Sequence, residues 1–225
     1  MEKENLLGLI KGVPYVLGLI YTDAAQPSVQ AVGKALGTVF EFSTSFLLPV
    51  KLLNEKFRLN FEKRIKEYEK KLEQIPEEKR VEVQPQIGTP IIEKLSYTTS
   101  DEISDLFTTL LANASNADMI NTAHPAFINM IERLSADEAR IISYLKYNID
   151  IEYCNFIGYL NDGSFDRIKE HLTRIPNMTK LEYPENINAY LSNLISLGII
   201  QDHIGEYKMN ENIYKPVGGI KKLIN

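Results

Sequence analysis

The rhythm of apolar and polar positions divides the chain into four stretches. The clearest runs from Lys51 to Pro76, where Leu53, Phe57, Phe61, Ile65, Tyr68, Leu72 and Ile75 recur at steps of four and three between Lys, Arg and Glu. Such steps return to one side of a 3.6-residue turn, so a long amphipathic helix is predicted here, stopped by Pro76. Glu62 and Lys66 lie one turn apart on it, placed to pair weakly. The stripe suits a globular core and also a short coiled-coil seam.

The preceding stretch, up to Val50, is glycine-bearing and poor in charge, with Asp23 alone between Gly12 and Gly33. It predicts a short helix near residues 4–20 and a longer one over about 28–50, with Pro27 near its start, where proline is tolerated. Val29, Val32, Leu36, Val39, Ser43, Phe46 and Val50 share one face of that second helix. Gly8/Gly12 and Gly33/Gly37 are spaced to let helices approach closely. The segment AVGKALGTVFEFSTSFLLPVKLL (31–53) is interrupted by Lys34, Glu41 and Lys51, and so is too polar for a resident span of roughly 18 apolar residues. It reads as a core helix or as an oligomerising or membrane-active segment. The contact residues of the second case are Gly33, Gly37, Phe40, Phe46 and Leu47, joined by Phe57, Phe61 and Ile65 of the following stripe.

A third stretch opens with EEKRVEVQPQIGTP (77–90), where Pro85, Gly88 and Pro90 predict an extended linker. Thr99-Ser-Asp-Glu102 and Ser135-Ala-Asp-Glu138 read as capping boxes heading helices, and Pro125 suits a first helical turn. The fourth stretch, from Asn148, is mixed. Its segment INAYLSNLISLGII (187–200) predicts a helix running into a short strand, with EYKMNENI returning as a second strand after QDHIG. That order outlines a winged helix. The expected fold is therefore mainly α, with a helical N-terminal and middle region and a small winged-helix-like C-terminal module containing a β-hairpin. The expected divisions are 1–80, 81–147 and 148–225.

The chain has 225 residues, enough to bury a substantial core, and 44% hydrophobic with 24% charged residues is ordinary for a globular protein. A net charge of −5 argues against general nucleic-acid binding, which rests on phosphate neutralisation. The candidate recognition helix, 186–197, carries no Lys or Arg, which weighs against nucleic acid as a partner. One cysteine, Cys154, excludes an internal disulfide and reads as a small buried hydrophobe. A signal peptide is not expected, because Pro14 and the early acidic residues break the required pattern. A cytoplasmic protein follows, peripheral at the inner membrane if residues 1–50 meet lipid.

His124, His171 and His203 stand at no metal-ligand spacing, and GxGxxG, P-loop, GxSxG, HExxH and CxxC patterns do not occur. His124 is placed to bond local backbone at a helix start. Asp101, Glu102 and Asp105 suit the positive end of a helix dipole. The expectation is a chain without enzymatic activity, catalytic residues, cofactor or metal, working through contact with a protein partner, itself included.

Four blocks, YTDAAQPSVQAVGKALGTV (21–39), LLPVKLLNEK (47–56), IPEEKRVEVQPQIGTPIIEKLSYTTSDEISDLFTTLLANAS (75–115) and AHPAFINMIERLSADEARIISYL (123–145), resemble the bacterial abortive-infection alpha family. The resemblance continues more loosely through YLSNLISLGII (190–200). It implies a role in bacterial defence against phage and carries no catalytic residue onto this sequence. Two actions are compatible with that role: a membrane-perturbing or oligomerising effector, and a soluble module that binds a phage or host protein.

Overall fold

The computed structural model describes residues 27–43, 54–148, 150–159, 162 and 164–203. The expected helix at 4–20, the Gly8/Gly12 pair, Phe46, Leu47 and the strand at 206–213 lie outside the described residues. Nine α-helices and one antiparallel hairpin are found among those described, which makes the fold mainly helical. The chain divides into two compact units, the first ending at Leu134 and the second beginning at Ser135. The divisions expected near 80 and 147 fall elsewhere than this one.

The first unit contains α1 (Pro27–Ala35), α2 (Gly37–Ser43), α3 (Glu55–Glu73), α4 (Pro85–Leu95), α5 (Asp101–Ala114) and α6 (Ala126–Glu132). Helix α3 realises the predicted stripe, because Phe61, Ile65, Tyr68 and Leu72 are buried together. The Asn54 side chain accepts from Lys56 N at 3.0 Å and so satisfies a free N–H of the first turn. Lys70 and Lys71 sit at the negative end of the helix. Phe57 departs from the stripe: it is 40% exposed, as the first turns of α3 reach past the core.

Where one helix was expected over 28–50, two occur, divided at the buried Leu36. The Ala35 carbonyl at this corner accepts from Val83 N at 2.9 Å, a backbone bond from a distant part of the chain. Val29, Val32, Ala35, Leu36, Val39 and Phe40 are all buried, so the core reading holds over residues 29–40.

The largest correction concerns residues 85–95. Residues 85–90 were expected as the end of a linker; together with 91–95 they form α4, with Ile87, Ile91, Ile92 and Leu95 buried. Pro85 occupies its start, where the missing N–H has no intrahelical role. Pro90 lies inside the helix, and the apolar face of α4 outweighs the bond it removes. Gly88 is needed for close approach: a Cβ there would lie 2.3 Å from Val39 Cγ2 and 3.0 Å from Val83 Cγ1. Helix α5 is capped by Ser100, whose Oγ accepts from Ile103 N at 3.2 Å, one residue later than the expected Thr99.

The second unit contains α7 (Ala136–Leu145), β1 (Tyr153–Tyr159), β2 (Phe165–Thr173), α8 (Ile175–Thr179) and α9 (Ile187–Ser196). Here the capping box forms as predicted, with Glu138 N donating to Ser135 Oγ and Ser135 N donating to Glu138 Oε2. Strands β1 and β2 pair from Tyr153↔Thr173 to Tyr159↔Phe165, and two irregularities each place an extra residue on β2. The hairpin thus precedes α9, whereas the expected one followed it. Leu197 to Ile200 is a helix stop and not a strand. Gly198, at φ 69°, donates to Ile195 O while Ile199 N bonds Leu194 O, the paired closure that a left-handed glycine gives a helix end.

Candidate functional site

Three arrangements stand out in the first unit. The first joins α3 to α5. Arg64 is buried, and its Nη1 donates to Asp101 Oδ1 at 2.8 Å and Glu67 Oε1 at 3.0 Å, while Nη2 donates to the Thr99 carbonyl at 3.1 Å. Lys63 reaches the same Asp101 oxygen at 2.7 Å, and two turns further along α3 Lys71 Nζ meets Asp105 Oδ1 at 2.7 Å and Thr109 Oγ1 at 2.6 Å. The Lys63 ammonium and then the Arg64 guanidinium hold the Asp101 carboxyl below its usual range. The acidic residues read as dipole partners are therefore also rungs of a ladder that fixes α5 on α3. A buried cation whose neighbours are two carboxylates is structural, because a further anion would face repulsion from both.

The second arrangement is the corner between α1 and α2. Glu82 accepts from Thr38 N at 2.9 Å through Oε1, and the Thr38 hydroxyl donates to the same oxygen. These bonds hold the Glu82 carboxyl below its ordinary range. Residues around Glu82 are gripped on the other side too, with Val81 N on Ser115 O and Ala117 N on Lys79 O, both at 2.9 Å. Gly37 stands at this corner at ordinary contact distance from Glu82, and so the Gly33/Gly37 pair does not lie on one continuous helix.

The third arrangement is exposed apolar surface. Phe57 is 40% and Leu59 52% exposed on the first turns of α3. Tyr97, 42% exposed, follows the end of α4, and Asn60 ties the two regions by donating to Leu95 O and Thr98 O. Lys94 Nζ stands 5.6 Å from the Tyr97 ring centroid and 2.7 Å from Glu132 Oε1.

Of the contact residues expected from the sequence, Phe40, Phe61 and Ile65 are fully buried in the first unit and Phe57 is exposed. Gly33 lies in α1 and Gly37 opens α2. Burial pushes the Cys154 thiol above its ordinary value, which keeps it protonated and poorly nucleophilic. His124 Nδ1 accepts from Ala126 N at 3.1 Å, the local backbone bond expected of it. Among the described residues no group of His, Cys, Asp or Glu is placed to hold a metal ion, and no helix is long and apolar enough to cross a membrane. A cleft of about 180 Å³ beside Pro27, Ala31, Leu72 and Arg80 is smaller than the ~300 Å³ at which ligand pockets usually begin.

Sequence reasoning missed the clasp at the head of α7. Asp137 is buried and accepts from Glu182 N at 2.8 Å, Tyr183 N at 2.9 Å, Tyr190 Oη at 3.0 Å and Arg140 Nη1 at 2.8 Å. Beside it Glu138 Oε1 accepts from Asn193 Nδ2 at 2.7 Å, so two neighbouring carboxylates dock α9. The capping-box pattern flagged Glu138, but no local signal marks Asp137, whose partners other than Arg140 lie 45 to 53 residues away. The missed hairpin did have a signal, Asp162-Gly163, between two runs with aromatic and apolar residues.

No curated protein and no solved structure matches the chain. One family does: abortive infection alpha, over residues 55–223, which begins at the first residue of α3 and leaves α1 and α2 outside the matched stretch. With most of its length so matched, the chain belongs to the abortive infection alpha family.

Proposed function

We propose that this chain defends a bacterial cell against phage by abortive infection and acts by protein contact, without catalysis, as a self-associating effector. The observation that carries the contact is the exposure of large apolar side chains at the start of α3 and after α4, namely Phe57, Leu59 and Tyr97. Exposed apolar side chains favour burial against a partner, at about 25 cal/mol per Å² of apolar area covered. A second copy presents the same residues and is the first partner to test.

The test is light scattering on the purified full chain together with phage challenge of cells expressing it. Self-association and fewer plaques are expected from the wild type. A variant with Phe57→Ser and Leu59→Ser is expected to shift to the monomer and lose protection. A wild type that stays monomeric at every concentration removes self-association, and protection that survives both substitutions removes the surface. Recovery of a specific host or phage protein from infected cells, with a monomeric chain, favours the soluble-module reading.

A second reading, membrane perturbation, rests on the apolar character of α1 and α2. Freeing Val29, Val32, Leu36, Val39 and Phe40 from the core costs about 10 kcal/mol by area, an upper figure. On that figure only about one molecule in ten million would release them at rest, so a trigger must favour the released state by a comparable amount. Leakage of anionic vesicles only in the presence of infected-cell extract supports this reading, and an intact membrane potential throughout infection sinks it. Deleting residues 1–50 is a poor test, because it strips core side chains along with any membrane segment.

A further inference from the structure

We propose that residues 79–84 form a strap that stows α1 and α2 in the core, with Glu82 as its release catch. The strap gives one edge to α5 and the loop after it and the other to the α1–α2 corner. On the α5 side Val81 N meets Ser115 O, Ala117 N meets Lys79 O, and Arg80 bridges Asn116. On the corner side Val83 N meets Ala35 O, and the Glu82 carboxylate takes both the backbone N–H and the hydroxyl of Thr38.

The two edges differ in kind. The α5 edge is continued by buried packing and by the Tyr68 hydroxyl, 2.6 Å from Ser115 Oγ. The corner edge combines the buried Val83 with an exposed carboxylate. Glu82 is therefore reachable from solvent while it caps the first turn of α2, and the helix pair beneath it is joined by a break at Leu36. A ligand or partner cation that takes the Glu82 carboxylate removes both Thr38 bonds at once. Loss of those bonds weakens the docking of α1 and α2 while the α3–α5 ladder stays intact. This deepens the second reading above and rests on it for its purpose, but the undocking stands or falls by itself.

Buried-thiol labelling reads the undocking in the full chain. In a Cys154→Ser background, Val32→Cys reports α1 and Ser104→Cys reports α5, both positions being fully buried. The Val32→Cys thiol is expected to react with an aromatic disulfide reagent faster than the Ser104→Cys thiol. Adding Glu82→Ala is expected to speed the first about fivefold, the combined loss of two solvent-exposed hydrogen bonds worth about twofold each, and to leave the second unchanged. Thr38→Val, which keeps the backbone N–H, is expected to give about twofold by the same measure and serves if Glu82→Ala does not fold. Glu62→Ala, which breaks an exposed pair with Lys66 elsewhere on α3, is expected to change neither rate. Equal rates at the two thiols, a Val32→Cys rate indifferent to Glu82→Ala and Thr38→Val, or an equal rise at both thiols overturns the strap. The Glu82→Ala variant expressed without phage separates the two ideas. Faster labelling with normal growth and an undisturbed membrane keeps the strap and removes the membrane reading.

Discussion

Gly88→Ala sets two established effects against each other at one position. Within a helix the exchange of glycine for alanine favours folding by about 1 kcal/mol. In α4, however, the added methyl would lie 2.3 Å from Val39 Cγ2 and 3.1 Å from Val39 Cγ1, well inside contact distance. Val39 is β-branched and fully buried, so it has no free rotamer into which to withdraw, and α2 must shift instead. Overpacking of this kind costs about 3 kcal/mol at the upper end of its usual range, which leaves a net loss of about 2 kcal/mol. Val39→Ala alone removes two methyl groups and is expected to cost about 2 kcal/mol. If the two sites were independent the double variant would lose about 4 kcal/mol. Because the alanine methyl at position 88 nearly replaces Val39 Cγ2, the double variant is expected to lose about 1 kcal/mol. Urea unfolding of the full chain, followed by far-ultraviolet circular dichroism, measures all four species. A neutral or stabilising Gly88→Ala, or additive losses in the double variant, refutes the close approach of α4 to α2.

The clasp at Asp137 makes a pH prediction. Burial alone would push its carboxyl up, but the Glu182 and Tyr183 N–H groups, the Tyr190 hydroxyl and Arg140 outweigh burial and hold it below the ordinary 3.8. Its contribution is therefore complete above the unfolded value and is lost as pH falls through the lower folded value, so unfolding midpoints should drop as pH falls below about 4. Asp137→Asn should lower stability by about 2 kcal/mol at pH 7 and flatten that acid limb, and an unchanged limb refutes the assignment. Ser135→Ala removes one half of the capping box and should cost about 1 kcal/mol in the same unfolding assay. Pro90→Ala restores an N–H inside α4 and should raise the urea midpoint by the equivalent of about 1 kcal/mol, whereas a lower midpoint would mean the proline ring is needed in the packing.

Several elements of the described chain were legible because their signals are local. The α3 stripe, its end before Pro76, the Ser135 box and the His124 bond each depend on residues within one or two turns, where side-chain period and capping chemistry act. The failures share the opposite cause. Residues 85–95 carry two prolines and a glycine, and local propensity reads them as a breaker; they are helical because Ile87, Ile91, Ile92 and Leu95 find a core to enter. The glycine spacing pointed to Gly33/Gly37, whereas the glycine that admits a neighbour is Gly88, which has no partner at that spacing. Phe57 continued the apolar period perfectly and is exposed all the same, since a period does not say where the neighbouring helices end.

By itself, then, the sequence determined a mainly helical chain, its long amphipathic helix, its caps and its family resemblance, because these follow from patterns within a few turns. Tertiary structure alone decided that α1 and α2 are stowed under a strap, that Arg64 is a buried rung between helices, and that Asp137 gathers donors from 45 residues on. Those are pairings between distant positions, and their free energy exists only once the two partners share one desolvated place.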